Sequence, residues 1–163
     1  MIRRAASCIA FEPNPAMADR LARALPDVTL HRCALGDTEG EAILSIPIVG
    51  GIDYDGYASL APGAALAGHP RRSIAVPVRR LDGFAIANVG MAKIDVEGFE
   101  ERVLAGAEAT IRRDRPNLLV ECEERHNPGG PARLASMLAS WGYGPPEPVA
   151  GAANNLVFRP RPA

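Results

Sequence analysis

Lysine is almost missing from this chain. Lys93 is the only lysine among 18 basic residues, and the rest are arginine. Alongside 16 glycines and 15 prolines, this reads as compositional bias rather than guanidinium chemistry. The pairs Arg3–Arg4, Arg71–Arg72, Arg79–Arg80 and Arg112–Arg113 are scattered and read as solvated faces. Nineteen acidic residues balance the basic ones, and the formal net charge of −1 supplies no positive field for nucleic acid or anionic membrane. Only three cysteines are present, Cys8, Cys33 and Cys122. Their odd number and wide spacing argue against a disulfide framework or a zinc site, and fit a reducing, cytoplasmic setting. Each lies in an apolar run and reads as a small core residue. No apolar run reaches the roughly 18 residues that a spanning helix needs. Arg3 and Arg4 followed by apolar residues imitate a secretion leader, but Glu12 ends that stretch without a small-residue cleavage site. There is no Gly-x-Gly-x-x-Gly, no Walker loop and no serine in a nucleophile elbow, and His31, His69 and His126 show no metal-ligand spacing.

What remains is an ordinary globular balance, 47% hydrophobic and 23% charged over 163 residues, which fits one domain spanning residues 1–163. A chain of this size buries roughly 70% of the surface its unfolded form exposes, enough for a full core.

The pattern alternates strands and helices. Residues 7–11 form an apolar run that ends at Glu12 and reads as a buried strand. Asn14-Pro15 then starts a helix, with Asn14 as cap and Pro15 in the first turn, and Met17, Leu21 and Leu25 give it one stripe. Strands are expected at 28–33, 41–48, 73–78, 90–96, 117–122 and 155–158, with Pro47 marking a strand edge or end. A short helix or connection is expected at 80–87. Residues 99–113 read as one helix with Phe99, Val103, Leu104, Ala107 and Ile111 on one face, and 131–141 as another that stops at Gly142. Residues 49–72 read as a long loop of lid type. This alternation predicts an α/β fold with a mostly parallel sheet and helices on both faces.

In such a sheet, ligands bind beyond the carboxyl ends of the strands. Acids recur there: Glu12, Asp37, Asp95 and Glu97, then Glu121 and Glu123. Parallel strands are expected to bring them to one rim. Glu12 stands out, because an acid ending a strand in a dinucleotide-type fold accepts hydrogen bonds from ribose hydroxyls. Alone, it also allows a nicotinamide oxidoreductase, against which the missing glycine fingerprint argues. Asp95, Glu97 and Glu121 are alternatively oxygen ligands for a hard cation, although no metal is expected. His126 lies at the same rim as a candidate proton acceptor.

Six segments occur in an order that resembles the FkbM family of S-adenosylmethionine-dependent methyltransferases. They are Ile9-Ala10-Phe11-Glu12-Pro13-Asn14-Pro15, Ala34-Leu35-Gly36-Asp37, Gly56-Tyr57-Ala58-Ser59-Leu60, Arg80-Leu81-Asp82, Lys93-Ile94-Asp95-Val96-Glu97-Gly98 and Leu119-Val120-Glu121. The resemblance implies a Rossmann-like class I methyltransferase fold and methylation of a hydroxyl on a small metabolite, sugar or lipid. It implies that Glu12 holds the ribose of S-adenosylmethionine, that Leu35, Gly36 and Asp37 border the adenine, and that Asp95 and Glu97 lie near the methyl group and the acceptor. Asp95, Glu97 and His126 are then the candidate bases. Family members open with a strand and a loop of the Asp-x-Gly-Ala-Asn-x-Gly type, whereas only residues 1–6 precede the Glu12 strand here. The expectation is therefore a fold lacking its first strand and glycine-rich loop, with a gap between the Glu12 and Asp95 strands and weak cofactor binding by the chain as it stands. A non-catalytic remnant of the same fold, serving as a binding module, is the competing expectation.

Overall fold

The computed structural model describes residues 7–61 and 68–162. The leader-like arginines at positions 3 and 4 and the middle of the expected lid fall outside them.

The chain opens with a strand–helix–strand unit. Strand β1 (Ile9–Phe11) runs parallel to β2 (Thr29–His31), and Phe11 sits opposite His31. Their rings stack with centroids 5.0 Å apart, and Phe84 closes on both. Between them lies helix α1 (Pro15–Ala24), started as its sequence requires: the Asn14 side chain accepts from the Ala16 N–H at 3.1 Å and Pro15 occupies the first turn.

A second sheet follows. Strand β3 (Ala34–Leu35) pairs parallel with β6 (Arg71–Arg79), and β6 pairs antiparallel with β4 (Gly40–Val49) from Gly40↔Val78 to Pro47↔Arg71. Pro47 thus lies at the end of that ladder. Gly50 and Gly51, with φ of 59° and 81°, make the two-residue turn into β5 (Ile52–Asp53), a conformation that favours glycine at both positions. Leu44, Ile46 and Val76 form a small core on this sheet.

The third sheet carries the main core. Strand β7 (Met91–Ile94) runs parallel to β8 (Asn117–Glu121). Strand β8 pairs antiparallel with β10 (Ala152–Phe158), which pairs antiparallel with β9 (Glu147–Val149). Helices α2 (Glu100–Ala105), α3 (Glu108–Asp114) and α4 (Gly130–Ser140) supply the rest of the core. Leu104, Leu118, Val120, Leu134, Leu138, Tyr143 and Phe158 are fully buried in it. Each apolar side chain of this size stabilises by about 1.5–3 kcal/mol on burial.

Several expectations are corrected. The sheet is not mostly parallel: β4, β5, β9 and β10 all run antiparallel to a neighbour, and the strands form three sheets rather than one. The hairpin of β9 and β10 has only a short alternating pattern, so its first arm was not visible in the sequence. The strand expected at 28–33 is the shorter β2, and residues 34–35, expected to turn out of it, form β3 in a different sheet. The loop at 49–72 contains β5, a single 3-10 turn (Asp55–Tyr57), a bridge from Ser59 to Ser45 and the first residues of β6. The helix expected at 99–113 breaks at Gly106-Ala107. A Cβ on Gly106 would lie 1.8 Å from the Gly36 carbonyl oxygen, so the chain packs there backbone on backbone. Asp82 then caps α3, its carboxylate accepting from the Ala109 and Thr110 N–H groups at 3.1 and 2.9 Å.

The stripe of α1 is the weakest part of the packing. Met17, Leu21 and Leu25 are only half-buried, and Ala18 is the buried residue of this helix. Among the described residues β1 and β2 pair only with each other and β7 with β8 alone, so the first pair is open on both edges and the second on one. Parallel strands are normally covered on all sides. Ile9 is 36% exposed and Met91 43%. No helix among the described residues is long and apolar enough to cross a membrane. The open strands lead to an expected outcome: the isolated chain binds a hydrophobic dye and melts broadly. A sharp, cooperative melt without dye binding would show that the β1–β2 unit is anchored as firmly as the main core.

Candidate active site

Strand β7 ends at Ile94, and the residues beyond it build a tightly constrained turn. Glu97 has φ +51° and Gly98 φ +95°, two left-handed residues in succession. Glycine is required at 98 on two counts. Its φ is strained for any L side chain, and a Cβ would meet the His126 carbonyl oxygen at 3.2 Å and Ala61 Cβ at 3.3 Å. The turn is pinned on both sides of the peptide. Ser59 Oγ donates to the Glu97 carbonyl at 2.5 Å, and the Gly98 N–H donates to Glu100 Oε1 at 2.7 Å.

The result is a side-chain pair: Glu97 Oε2 lies 2.6 Å from His126 Nδ1, with the His126 side chain only 6% exposed. His126 comes from the turn after β8, where its own N–H donates to the Glu123 carbonyl at 3.1 Å. Arg125 beside it is ion-paired with Glu123 and lies over the Tyr57 ring, 5.3 Å from the centroid.

Burial pushes the Glu97 carboxyl up to about 7, helped by Asp95, Glu123 and Glu121, with Arg125 opposing. Burial and then the Arg125 charge hold His126 below its ordinary value, with Glu123 opposing. Above about pH 7 the pair is therefore a carboxylate and a neutral imidazole with a single proton between them.

Glu12 sits at the end of β1, where Oε1 accepts from the Asn14 N–H at 2.7 Å. Burial raises its carboxyl, the Asn14 N–H lowers it and Asp55 raises it. Asn14 is fully buried, and its Nδ2 donates to Asp55 Oδ1 at 2.8 Å. Asp55 opens the 3-10 turn that carries Tyr57, and Ser59 follows two residues later. Segment 55–59 thus ties the Glu12 end of β1 to the Glu97–His126 end of β7 and β8. The other predicted residues have different neighbours. Asp95 is half-exposed and accepts from Lys93 Nζ at 2.6 Å. Leu35 packs on the main core. Gly36 is buried: a Cβ there would meet Val78 Cγ1 at 2.9 Å and the Phe99 ring at 3.3 Å. Asp37 pairs with Arg102 at 3.2 Å, and its carbonyl accepts from Arg80 at 3.0 Å. Among the described residues no group of three or more His, Cys, Asp or Glu side chains is placed to hold a metal ion, so Asp95, Glu97 and Glu121 do not form an oxygen-ligand set.

Sequence reasoning missed Ser59, Asp55, Arg125 and Glu100 as site residues. Ser59 and Asp55 lie in a segment without periodicity, and their partners are 38 and 41 positions away. The only available signal was their place in and beside the Gly56-Tyr57-Ala58-Ser59-Leu60 segment.

The raised carboxyl makes stability depend on pH. Between 4.5, its ordinary value, and about 7 the folded chain holds a proton on Glu97 that the unfolded chain releases. Folding therefore loses stability as pH rises through that window. Glu97→Gln removes this loss. Relative to the wild type, the variant gains about 1–2 kcal/mol between about pH 4 and pH 8, taking about 1.36 kcal/mol per pKa unit and discounting for solvent screening. Melting curves at the two pH values check this, and an unchanged difference would contradict it.

Comparisons with known proteins agree with this architecture. The methyltransferase FkbM domain matches residues 2–145. A solved structure of methyltransferase FkbM from Methylobacillus flagellatus KT superposes with a TM-score of 0.58 at 16% identity. That match covers 94% of this chain and 36% of the other, so the chain spans about a third of that protein's length. At this identity the superposition speaks for the fold alone. No curated protein matches the chain. The domain match covers most of the sequence, and the chain belongs to the FkbM methyltransferase family.

Proposed function

We propose that this chain forms the acceptor-activating centre of an S-adenosylmethionine-dependent O-methyltransferase acting on a small hydroxylated acceptor, such as a sugar, a lipid or another metabolite. The single observation that carries the reading is the Glu97–His126 pair, 2.6 Å apart at the end of β7 and β8. Bound S-adenosylmethionine supplies an electrophilic methyl group. The donor set fits such a group in one respect: Glu12 is a half-buried carboxylate at a strand end, suited to accept from a ribose diol. Leu35, Gly36 and Asp37 are proposed beside the base, Asp37 with its carboxylate already engaged by Arg102.

The chain's own residues perform the proton chemistry. His126 donates from Nδ1 to the Glu97 carboxylate, which leaves Nε2 as the acceptor for a hydroxyl proton. Glu97 fixes the tautomer and stabilises the imidazolium that forms. A base of this kind contributes about 10²–10⁴-fold. Holding the acceptor oxygen in line contributes up to roughly 7–11 kcal/mol, the larger share. Asp95 acts at a distance, by raising Glu97. The imidazole must be neutral and the carboxylate ionised, so the rate is expected to rise with pH and level off above about pH 7.

A second reading, a non-catalytic binding module, is favoured by Glu12, whose Oε1 is already held by Asn14. Two measurements separate the readings. Calorimetric titration with S-adenosylmethionine is expected to show weak binding that Glu12→Gln weakens further, by about 1–3 kcal/mol. Transfer of a labelled methyl group to a pool of sugars and hydroxylated lipids is expected to fall about 10²–10⁴-fold in His126→Ala. Absence of both binding and transfer in the wild type would favour the module, and full activity in His126→Ala would remove the pair from the chemistry.

A further inference from the structure

Glu100 is a buried carboxyl for which the proposed chemistry has no direct use. It opens α2, one turn after β7, and is 1% exposed. Its two oxygens are treated differently. Oε1 accepts from the Gly98 N–H at 2.7 Å, whereas Oε2 is buried and has no hydrogen-bond partner among the described residues. The Cys122 thiol and the Asn127 side-chain amide face the same carboxyl and partly satisfy it. A carboxyl this deeply buried is costly even when partly satisfied, and a side chain serving only to fill space would be better apolar. The cost therefore calls for a compensating role.

That role is visible in what Oε1 holds. Gly98 follows Glu97, and both are left-handed, at φ +95° and +51°. A non-glycine residue in that region persists only where its surroundings over-determine it, and such residues gather at functional sites. Glu97 has three restraints. Its carbonyl receives the Ser59 hydroxyl, its carboxyl meets His126, and the next N–H is held by Glu100. Gly98 also packs against the backbone of His126, since a Cβ at 98 would touch the carbonyl and Cβ of residue 126. A shift of the Gly98 peptide therefore moves both members of the pair at once.

We propose that Glu100 is the positioning residue of the Glu97–His126 pair: its carboxyl oxygen, through the Gly98 N–H, locks the left-handed turn that delivers Glu97 Oε2 to His126 Nδ1. The proposal rests on the function proposed above for that pair, but its geometry is open to test without activity. Glu100 touches no reacting atom and acts only through the turn. Its requirement is an acceptor oxygen at the right reach, not a charge.

Two variants separate positioning from packing. Glu100→Gln keeps an acceptor oxygen, and Glu100→Met fills the same space without one. Amide hydrogen exchange at Gly98, thermal melting and methyl-transfer kinetics are measured on each. Glu100→Gln is expected to keep Gly98 protected and kcat within about threefold. Glu100→Met is expected to stay folded with a modestly lower melting temperature, yet to exchange the Gly98 amide at least about tenfold faster and to lose about 10–100-fold in kcat with KM nearly unchanged. Unchanged Gly98 exchange and kcat in Glu100→Met would overturn the proposal. So would a kcat loss in both variants that follows their melting temperatures, since that is the signature of a purely structural carboxyl. If the wild type transfers no methyl group, the proposed activity fails by itself. Gly98 exchange then still decides whether Glu100 holds the turn.

Discussion

The peptide between Glu97 and Gly98 passes through left-handed space, and the surrounding rim is arranged around that constraint. A left-handed turn directly after a strand reverses the direction in which the next side chain leaves the sheet. Here it sends the Glu97 carboxyl across to the turn after β8, where His126 waits. Backbone in this region does not hold itself. It is secured by a hydroxyl from the segment after β5 and by a carboxyl from the first turn of α2, two elements with no other reason to meet. Segment 55–59 continues the same connection to Asn14 and so to Glu12 at the end of β1. One turn thus unites three parts of the chain.

The main core and the β1–β2 pair divide the work. The β7–β8–β10–β9 sheet, with α2, α3 and α4, buries nearly all the large apolar side chains and presents the site on its carboxyl rim. The β1–β2 pair is attached more lightly, through the aromatic triad of Phe11, His31 and Phe84 and through Asn14. The firm part of the molecule therefore carries the Glu97–His126 pair, and the light part carries the Glu12 carboxylate. Where close packing is demanded, the chain uses glycine: Gly36 and Gly106 meet backbone to backbone, which breaks the helix after β7 and lets Asp82 cap its second half.

Much of this was legible in the sequence. Asn14-Pro15 announced the start of α1, the apolar runs marked β1, β7 and β8, and the strand-end rule drew attention to Glu12, Glu97 and His126. What escaped was set by partners far apart in the chain. The break at Gly106 depends on a carbonyl 70 positions earlier, and the roles of Ser59 and Asp55 depend on residues 38 and 41 positions away. The β9 arm is three residues long and contains a proline, too little for a period to show. Glu100 read as an ordinary acid in a helical first turn, because nothing in the local sequence distinguishes a buried carboxyl from a solvated one. Asp95 drew attention for its place at the strand end, yet its carboxylate turns back to Lys93.

The account stands or falls on the proton between Glu97 and His126. Nitrogen-15 spectra of the His126 ring at about pH 8 observe it directly. The account predicts a ring protonated at Nδ1 and bare at Nε2, with the Nδ1 proton shifted downfield and protected from solvent, and an imidazole pKa below its ordinary 6.5. Glu97→Gln should move that proton upfield. A His126 ring that carries its proton on Nε2, exchanges freely with water and titrates at 6.5 or above would contradict it.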